Sequence, residues 1–214
     1  MVKGFVVSFE GIDGSGKSTV LNEIAKRLAK ENVKFTTVRD DGNLPYLHDC
    51  RDALEMSSID ISSSDAKFLL YIAQTACAEK RYREWVDRGL VVLVDRGIDT
   101  VVAYGALLTG ERNEAFYRGV NRLVMTYFDK PDMTFLFSCS GEVRRERLIE
   151  RKGEEIPENW DEMERKLEAE YRSLVLQGPS RFKSIDTTGF ALEATVQEVW
   201  TYLEKELRRR KLCV

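Results

Sequence analysis

Between an apolar run and a one-sided helical pattern stands Phe9-Glu10-Gly11-Ile12-Asp13-Gly14-Ser15-Gly16-Lys17-Ser18-Thr19, which contains the spacing G-x-x-x-x-G-K-[ST]. Those residue types suit one chemistry, the gripping of a phosphate tail. Gly11, Gly14 and Gly16 let the backbone turn tightly and aim successive N–H groups at phosphate oxygens, while the helix that follows points the positive end of its dipole at the same anion. Lys17 is placed to neutralise β- and γ-phosphates, and the Ser18 hydroxyl to hold Mg²⁺. Asp13, Ser15 and Thr19 complete the stretch expected to contact the phosphate tail. The alternative is a glycine turn that joins strand to helix and binds nothing.

The flanking elements are those the loop needs. Residues 2–9 are a short β-rich run, and residues 17–31 carry apolar side chains at Val20, Leu21, Ile24, Ala25 and Leu28, one face of a helix. Further strands are predicted at residues 33–39, 90–95, 133–138 and 182–186. Helices are predicted at residues 45–56, 66–88 (closed by Gly89), 99–108, 113–128, 141–151 and 161–176, with an amphipathic helix at the C-terminus. The run Leu90-Val91-Val92-Leu93-Val94-Asp95 is almost wholly apolar, as a strand covered on both faces must be. Five strands alternating with helices imply an α/β fold with a parallel, doubly wound sheet between two helical layers. No linker-like composition divides the chain, so residues 1–214 are expected to form one domain.

In such sheets ligands gather beyond the carboxyl ends of the strands. Here those ends are Glu10 with the glycine loop, Arg39-Asp40-Asp41, and Asp95-Arg96. Asp95 suits a second Mg²⁺ contact through water, and the Arg96 guanidinium offers a fork that matches phosphate oxygens. The bland alternative is an acid–base pair serving strand-end polarity alone.

Composition bounds the partners. A net charge of −3 argues against a nucleic-acid platform. Arg208-Arg209-Arg210-Lys211 reads as a solvated helix end, favourably placed on the dipole. Cys50, Cys77, Cys139 and Cys213 lack metal-ligand spacing and read as reduced thiols. No apolar run reaches membrane-spanning length, and the N-terminus has no charged-then-apolar export pattern. A cytoplasmic location, small-molecule nucleotide partners and no membrane partner are the expectation.

Over nearly its whole length the chain resembles the thymidylate kinase family of nucleoside monophosphate kinases. The glycine loop is similar to that family's F-E-G-x-D-G-x-G-K-S/T, and Leu69-Leu70-Tyr71-Ile72-Ala73 to its L-L-F-A-A helix. Asp95-Arg96 with Thr100, Ala103 and Tyr104 resembles D-R-x-x-x-S-x-x-A-Y; Pro131-Asp132 and Ile185-Asp186 stand as in the family before strand four and at the end of strand five. The resemblance implies a three-layer P-loop NTPase fold, and transfer of the ATP γ-phosphoryl group to a deoxynucleoside 5′-monophosphate, dTMP to dTDP. It also implies Mg²⁺, a homodimer joined through the apolar faces of residues 66–88 or 99–128, and a lid at about residues 144–160. Asp13 would then lie on the acceptor's sugar or phosphate side, Arg96 on its phosphate, Tyr71 on its base, and Tyr104 against the sugar 2′ position. Arg39 and Arg51 are further candidates for the acceptor phosphate. Because the glycine loop carries no arginine, catalytic positive charge is expected from the lid. There Arg144, Arg145, Arg147 and Arg151 cluster, with Arg147 and Arg151 four apart on one helix face.

The acceptor side departs from the family pattern. Thr75 stands where an arginine usually reads the thymine carbonyl, Gly97 where an aromatic residue follows Asp-Arg, Gly105 where a glutamine is frequent, and Asp40-Asp41-Gly42-Asn43 replaces E-P-G-G. A buried polar pocket that loses a hydrogen bond changes its discrimination by orders of magnitude, so another deoxynucleotide or related small acceptor stays open. So does a non-catalytic switch driven by ATP occupancy. Acceptor-dependent ADP production separates these readings.

Overall fold

Apolar side chains at every position of Val91-Val92-Leu93-Val94 bury both faces of one strand, and the fold is arranged to cover them. A computed structural model describes residues 2–39, 64–107, 114–152 and 160–212. Within them β1 (Phe5–Gly11), β2 (Phe35–Arg39), β3 (Val91–Asp95), β4 (Met133–Ser138) and β5 (Phe182–Asp186) form one parallel sheet in the order β2-β3-β1-β4-β5. Seven helices surround it among the described residues: α1 (Lys17–Lys30), α2 (Ser64–Asp87), α3 (Ile98–Leu107), α4 (Glu114–Tyr127), α5 (Gly141–Lys152), α6 (Trp160–Gln177) and α7 (Leu192–Arg209). This is the predicted three-layer α/β arrangement. The helix expected at residues 45–56 and the loop that follows it lie outside the described residues, as do residues 153–159 of the expected lid.

Boundaries shift where backbone hydrogen bonds go elsewhere. β1 starts at Phe5 and not at Val2, since the Gly4 N–H is taken by the Val86 carbonyl at 2.8 Å. β2 starts at Phe35 and not at Val33, whose N–H closes the end of α1 on the Leu28 carbonyl at 3.0 Å. Gly89, at φ 81°, ends α2 as expected of a left-handed cap.

Strand alternation decides what each face holds. Phe5, Val7 and Phe9 point into the larger core, against Val20, Leu21, Ile24 and Leu28 of α1 and Val199, Trp200, Leu203 and Leu207 of α7. Ser8 and Glu10, on the other face of the same strand, are wholly buried beneath α3 and α6. Ile98, Val102 and Ala103 of α3 pack there with Val124 of α4 and Leu167, Tyr171 and Leu174 of α6. Phe68 of α2 reaches α3 at Gly105, where a Cβ would collide with its ring. The basic C-terminus is structural at one residue: Arg210 donates to the Gly4 carbonyl at 2.9 Å and to Asp132 at 2.7 Å.

Beneath α3 lies a buried ion pair. Both terminal nitrogens of Arg181 donate to Asp99 at 2.6 Å, and Arg181 also donates to the Thr134 hydroxyl at 2.7 Å. Removing one partner strands the other charge in the interior. Asp99→Ala is therefore expected to lose about 3–5 kcal/mol of stability, read from urea unfolding; an unchanged midpoint would show that water reaches Arg181.

Candidate functional site

The glycine loop is built by close approach. Gly11, at φ 128°, ends β1 where any Cβ would strike the Phe137 carbonyl. Gly14 stands at φ 79°, its missing Cβ 2.6 Å from the Arg144 side chain, and Gly16 at φ 86° caps α1 with no side-chain hydrogen bond. The first turn of α1 carries no acid. Its N–H groups and dipole therefore face an open concavity suited to an anion.

Lys17 is buried, and its Nζ donates to the Ile12 carbonyl at 2.7 Å, folded across the loop. Burial, with the neighbouring charge of Arg96 adding to it, brings its pKa down to about 7 against the opposing pull of Asp13, Asp95 and Glu10. A phosphate arriving here would replace a neutral carbonyl as its partner. The Ser18 hydroxyl donates to Asp95 Oδ2 at 2.6 Å. Two oxygen donors meeting beside a phosphate loop fit a hard divalent cation that keeps most of its waters. Arg147 of α5 donates to the Gly14 carbonyl at 3.2 Å and to the Thr187 hydroxyl at 2.9 Å, which ties the helix to the loop. Gly14, Lys17, Ser18, Arg147 and Thr187 line a cavity of about 490 Å³ that also reaches Phe190, Leu192 and Thr195.

A second cavity, of about 570 Å³, opens beyond β3. Tyr71 and Thr75 of α2, Thr100 and Tyr104 of α3, and Glu162, Met163 and Lys166 of α6 line it. Asp13 and Arg96 line both cavities and so form the wall between them. Arg96 adopts φ 65°, donates its backbone N–H to the Phe9 carbonyl at 3.1 Å, binds Asp13 through its guanidinium and stacks 5.5 Å from the Tyr104 ring centroid. Its Nη1 is buried with no hydrogen-bond partner. A buried cationic donor left without an acceptor is costly, and an anion bound at this wall would satisfy it.

The predicted residues fall into distinct places. Asp13, Ser15, Lys17, Ser18, Asp95 and Arg96 meet around the loop, and Tyr71, Thr75, Thr100 and Tyr104 surround the second cavity. Thr75 donates its hydroxyl to the Tyr71 carbonyl at 2.9 Å. The hydroxyl of Thr100 is committed to Glu10. Arg39 binds Asn22 of α1 at 2.5 Å and lines a third cavity, of about 360 Å³ under α2, which shares Thr75, Arg96 and Gly97 with the second. Of the arginines expected in the lid, Arg144 is buried and paired with Glu164 of α6. Arg51 and the side chain of Arg151 lie outside the described residues.

Sequence reasoning marked Glu10 only as a polar strand end. The structure makes it the centre of a buried network in which Ser8, the Gly97 N–H at 2.7 Å, Thr100 and the Tyr171 hydroxyl at 3.5 Å all donate to its carboxylate. Tyr171 reads in sequence as one more apolar position of α6.

The family model described as thymidylate kinase matches residues 9–199. A thymidylate kinase from Enterococcus faecalis is 29% identical over 208 residues, covering 92% of this chain and 96% of that protein. Among solved structures, thymidylate kinase from Candida albicans superposes with a TM-score of 0.71 at 16% identity, over 95% of this chain and 92% of that one. That from Ehrlichia chaffeensis gives 0.67 at 21% identity, over 94% and 99%.

Lys17→Ala is expected to weaken Mg–ATP binding at least about tenfold, the effect of losing one charge-assisted contact. Isothermal titration calorimetry reads this, with circular dichroism confirming the fold; undiminished affinity would remove Lys17 from the phosphate site.

Proposed function

This chain belongs to the thymidylate kinase family, and we propose that its two cavities are the donor and acceptor halves of an ATP-dependent nucleoside monophosphate kinase that converts dTMP to dTDP. The observation that carries this reading is the shared wall: Asp13 and Arg96 border the phosphate-loop cavity on one side and the Tyr71–Tyr104 cavity on the other. A phosphoryl group moving in line between two bound nucleotides would cross there.

An oxygen of the acceptor 5′-phosphate attacks the γ-phosphorus, the bond from that phosphorus to the β,γ-bridging oxygen breaks, and ADP leaves. No protein nucleophile is needed, only positioning and neutralisation of charge on the equatorial oxygens. Lys17 exchanges the Ile12 carbonyl for β- and γ-phosphate oxygens. The free Nη1 of Arg96 takes the acceptor phosphate while Asp13 fixes the other end of its fork. Arg147, already on the Gly14 carbonyl, lies at the loop as a source of further positive charge. Mg²⁺, when bound to ATP, would neutralise the triphosphate beside Ser18 and Asp95.

One observation favours a wider choice of base. Thr75 satisfies its hydroxyl within α2, and Thr75 and Gly97, both small, are shared between the acceptor cavity and the third cavity behind it. A larger base meets little there to exclude it. We propose in addition a homodimer and a cytoplasmic place of action; the exposed Leu69 of α2 and Leu123 and Tyr127 of α4 mark apolar surface such a dimer would cover. Among the described residues no helix is long and apolar enough to cross a membrane.

ADP release measured with each monophosphate in turn tests the activity, and turnover with dTMP is the expected result. Arg96→Ala is expected to lower kcat/KM at least about a hundredfold, as for removal of one transition-state charge stabiliser. Thr75→Arg is expected to raise the preference for dTMP over other deoxynucleotides about tenfold or more. Equal preference before and after would place base reading elsewhere in the cavity.

A further inference from the structure

Glu10 is a buried ionisable group that the mechanism above does not use. Glu10 sits at the end of β1 with no exposed surface, one residue before the glycine loop, and touches neither cavity. Its carboxylate gathers donors from three parts of the fold: Ser8 on its own strand, the Gly97 N–H and Thr100 at the start of α3, and Tyr171 on α6. Thr100 and Tyr171 are also 2.9 Å apart, so the donors form a ring around the acid. Gly97 directly follows Arg96, whose backbone stands at φ 65°. A non-glycine residue keeps such a conformation only when its surroundings over-determine it. Two hydrogen bonds do so here, Arg96 N–H to the Phe9 carbonyl and Gly97 N–H to Glu10.

We propose that Glu10 is a positioning residue for acceptor binding, whose ionised carboxylate pins the Arg96–Gly97 turn and so aims the free arm of Arg96 at the acceptor phosphate.

The charged and titratable groups facing Glu10 are Arg96 just past β3, Asp99 at the start of α3, Lys17 on α1 and Tyr171 on α6. Burial foremost, and then the Asp99 carboxylate, push the pKa of Glu10 up to about 7 against the donors from Ser8, Thr100 and Gly97. Protonation adds another donor to a ring already made of donors. The hold on Gly97 then weakens, and Arg96 loses a compensating charge.

This inference rests on the kinase reading, which acceptor-dependent turnover of the unaltered chain tests by itself. The discriminating experiment compares the unaltered chain with Glu10→Gln and Thr100→Val across about pH 5.5–9, determining KM for dTMP and for ATP separately. At about pH 8, Glu10→Gln should raise KM for dTMP about tenfold and leave KM for ATP within about twofold. Below about pH 6 the two proteins should converge, because the native acid is then neutral as well.

Folding raises this acid's pKa, so its contribution to stability is fully present below the unfolded value and is lost as pH rises through about 7. Glu10→Gln should accordingly melt at a higher temperature than the native chain at about pH 8, while binding the acceptor less well. A merely structural role predicts the opposite pairing. Thr100→Val keeps the carboxylate and removes one donor that lowers its pKa. The inflection in KM for dTMP should therefore move to higher pH, and this holds even if the glutamine variant does not fold. An unshifted inflection, an unchanged KM for dTMP in Glu10→Gln, or an equal rise in both KM values would overturn the proposal.

Discussion

Parallel pairing of β1 with β3, in the register Phe9↔Asp95, is the interaction on which the site depends. It sets the glycine loop beside the Asp95-Arg96 strand end and lets the Phe9 carbonyl accept the Arg96 N–H just past the last paired residue. A slip of one residue would send Phe5, Val7 and Phe9 to the site face and Ser8 and Glu10 into the aliphatic core. Burial of those three side chains under α1 and α7 therefore secures the register, and the register secures the chemistry.

Cations at the site are held in place before any phosphate arrives. Lys17 rests on the Ile12 carbonyl, Arg147 on the Gly14 carbonyl and Thr187, and Arg96 on Asp13. Each partner is a protein oxygen at the edge of the loop, so a phosphate bound here would exchange acceptors and not desolvate a free charge. Preorganisation of this kind is where most transition-state stabilisation in phosphoryl transfer originates. Arg96 Nη1, buried without a hydrogen-bond partner, is a donor that still lacks an acceptor.

Legibility in the sequence followed chain distance. The glycine loop could be read because its geometry is set by eleven adjacent residues, and Asp95 because it ends an unbroken apolar run. The five strands and the described helices could be read from periodicity to within a few residues, and strand starts moved where a terminal N–H found a partner outside its strand. The Glu10 ring could not: it joins β1, α3 and α6, and although Thr100 stands in a motif visible in the sequence, nothing there shows that it shares one carboxylate with Tyr171. The pairing of Arg144 with Glu164 was hidden for the same reason. Charge pattern on α5 alone cannot show which arginine faces another helix and which faces solvent.

Gly105 has a wider effect than the side chain it lacks. By admitting the Phe68 ring, itself set against Tyr117 at a centroid distance of 5.2 Å, it locks α2 onto α3 and α4. Tyr71 and Thr75 on one helix and Tyr104 on the other are thereby mounted on a single rigid jaw. Facing them across the cleft is α6, whose Met163 and Lys166 reach it on long, pliable stems. The two walls of the cleft thus differ in kind: the aromatic one is fixed by the packing of α2 on α3, and the one on α6 is lined by side chains with several freely turning bonds.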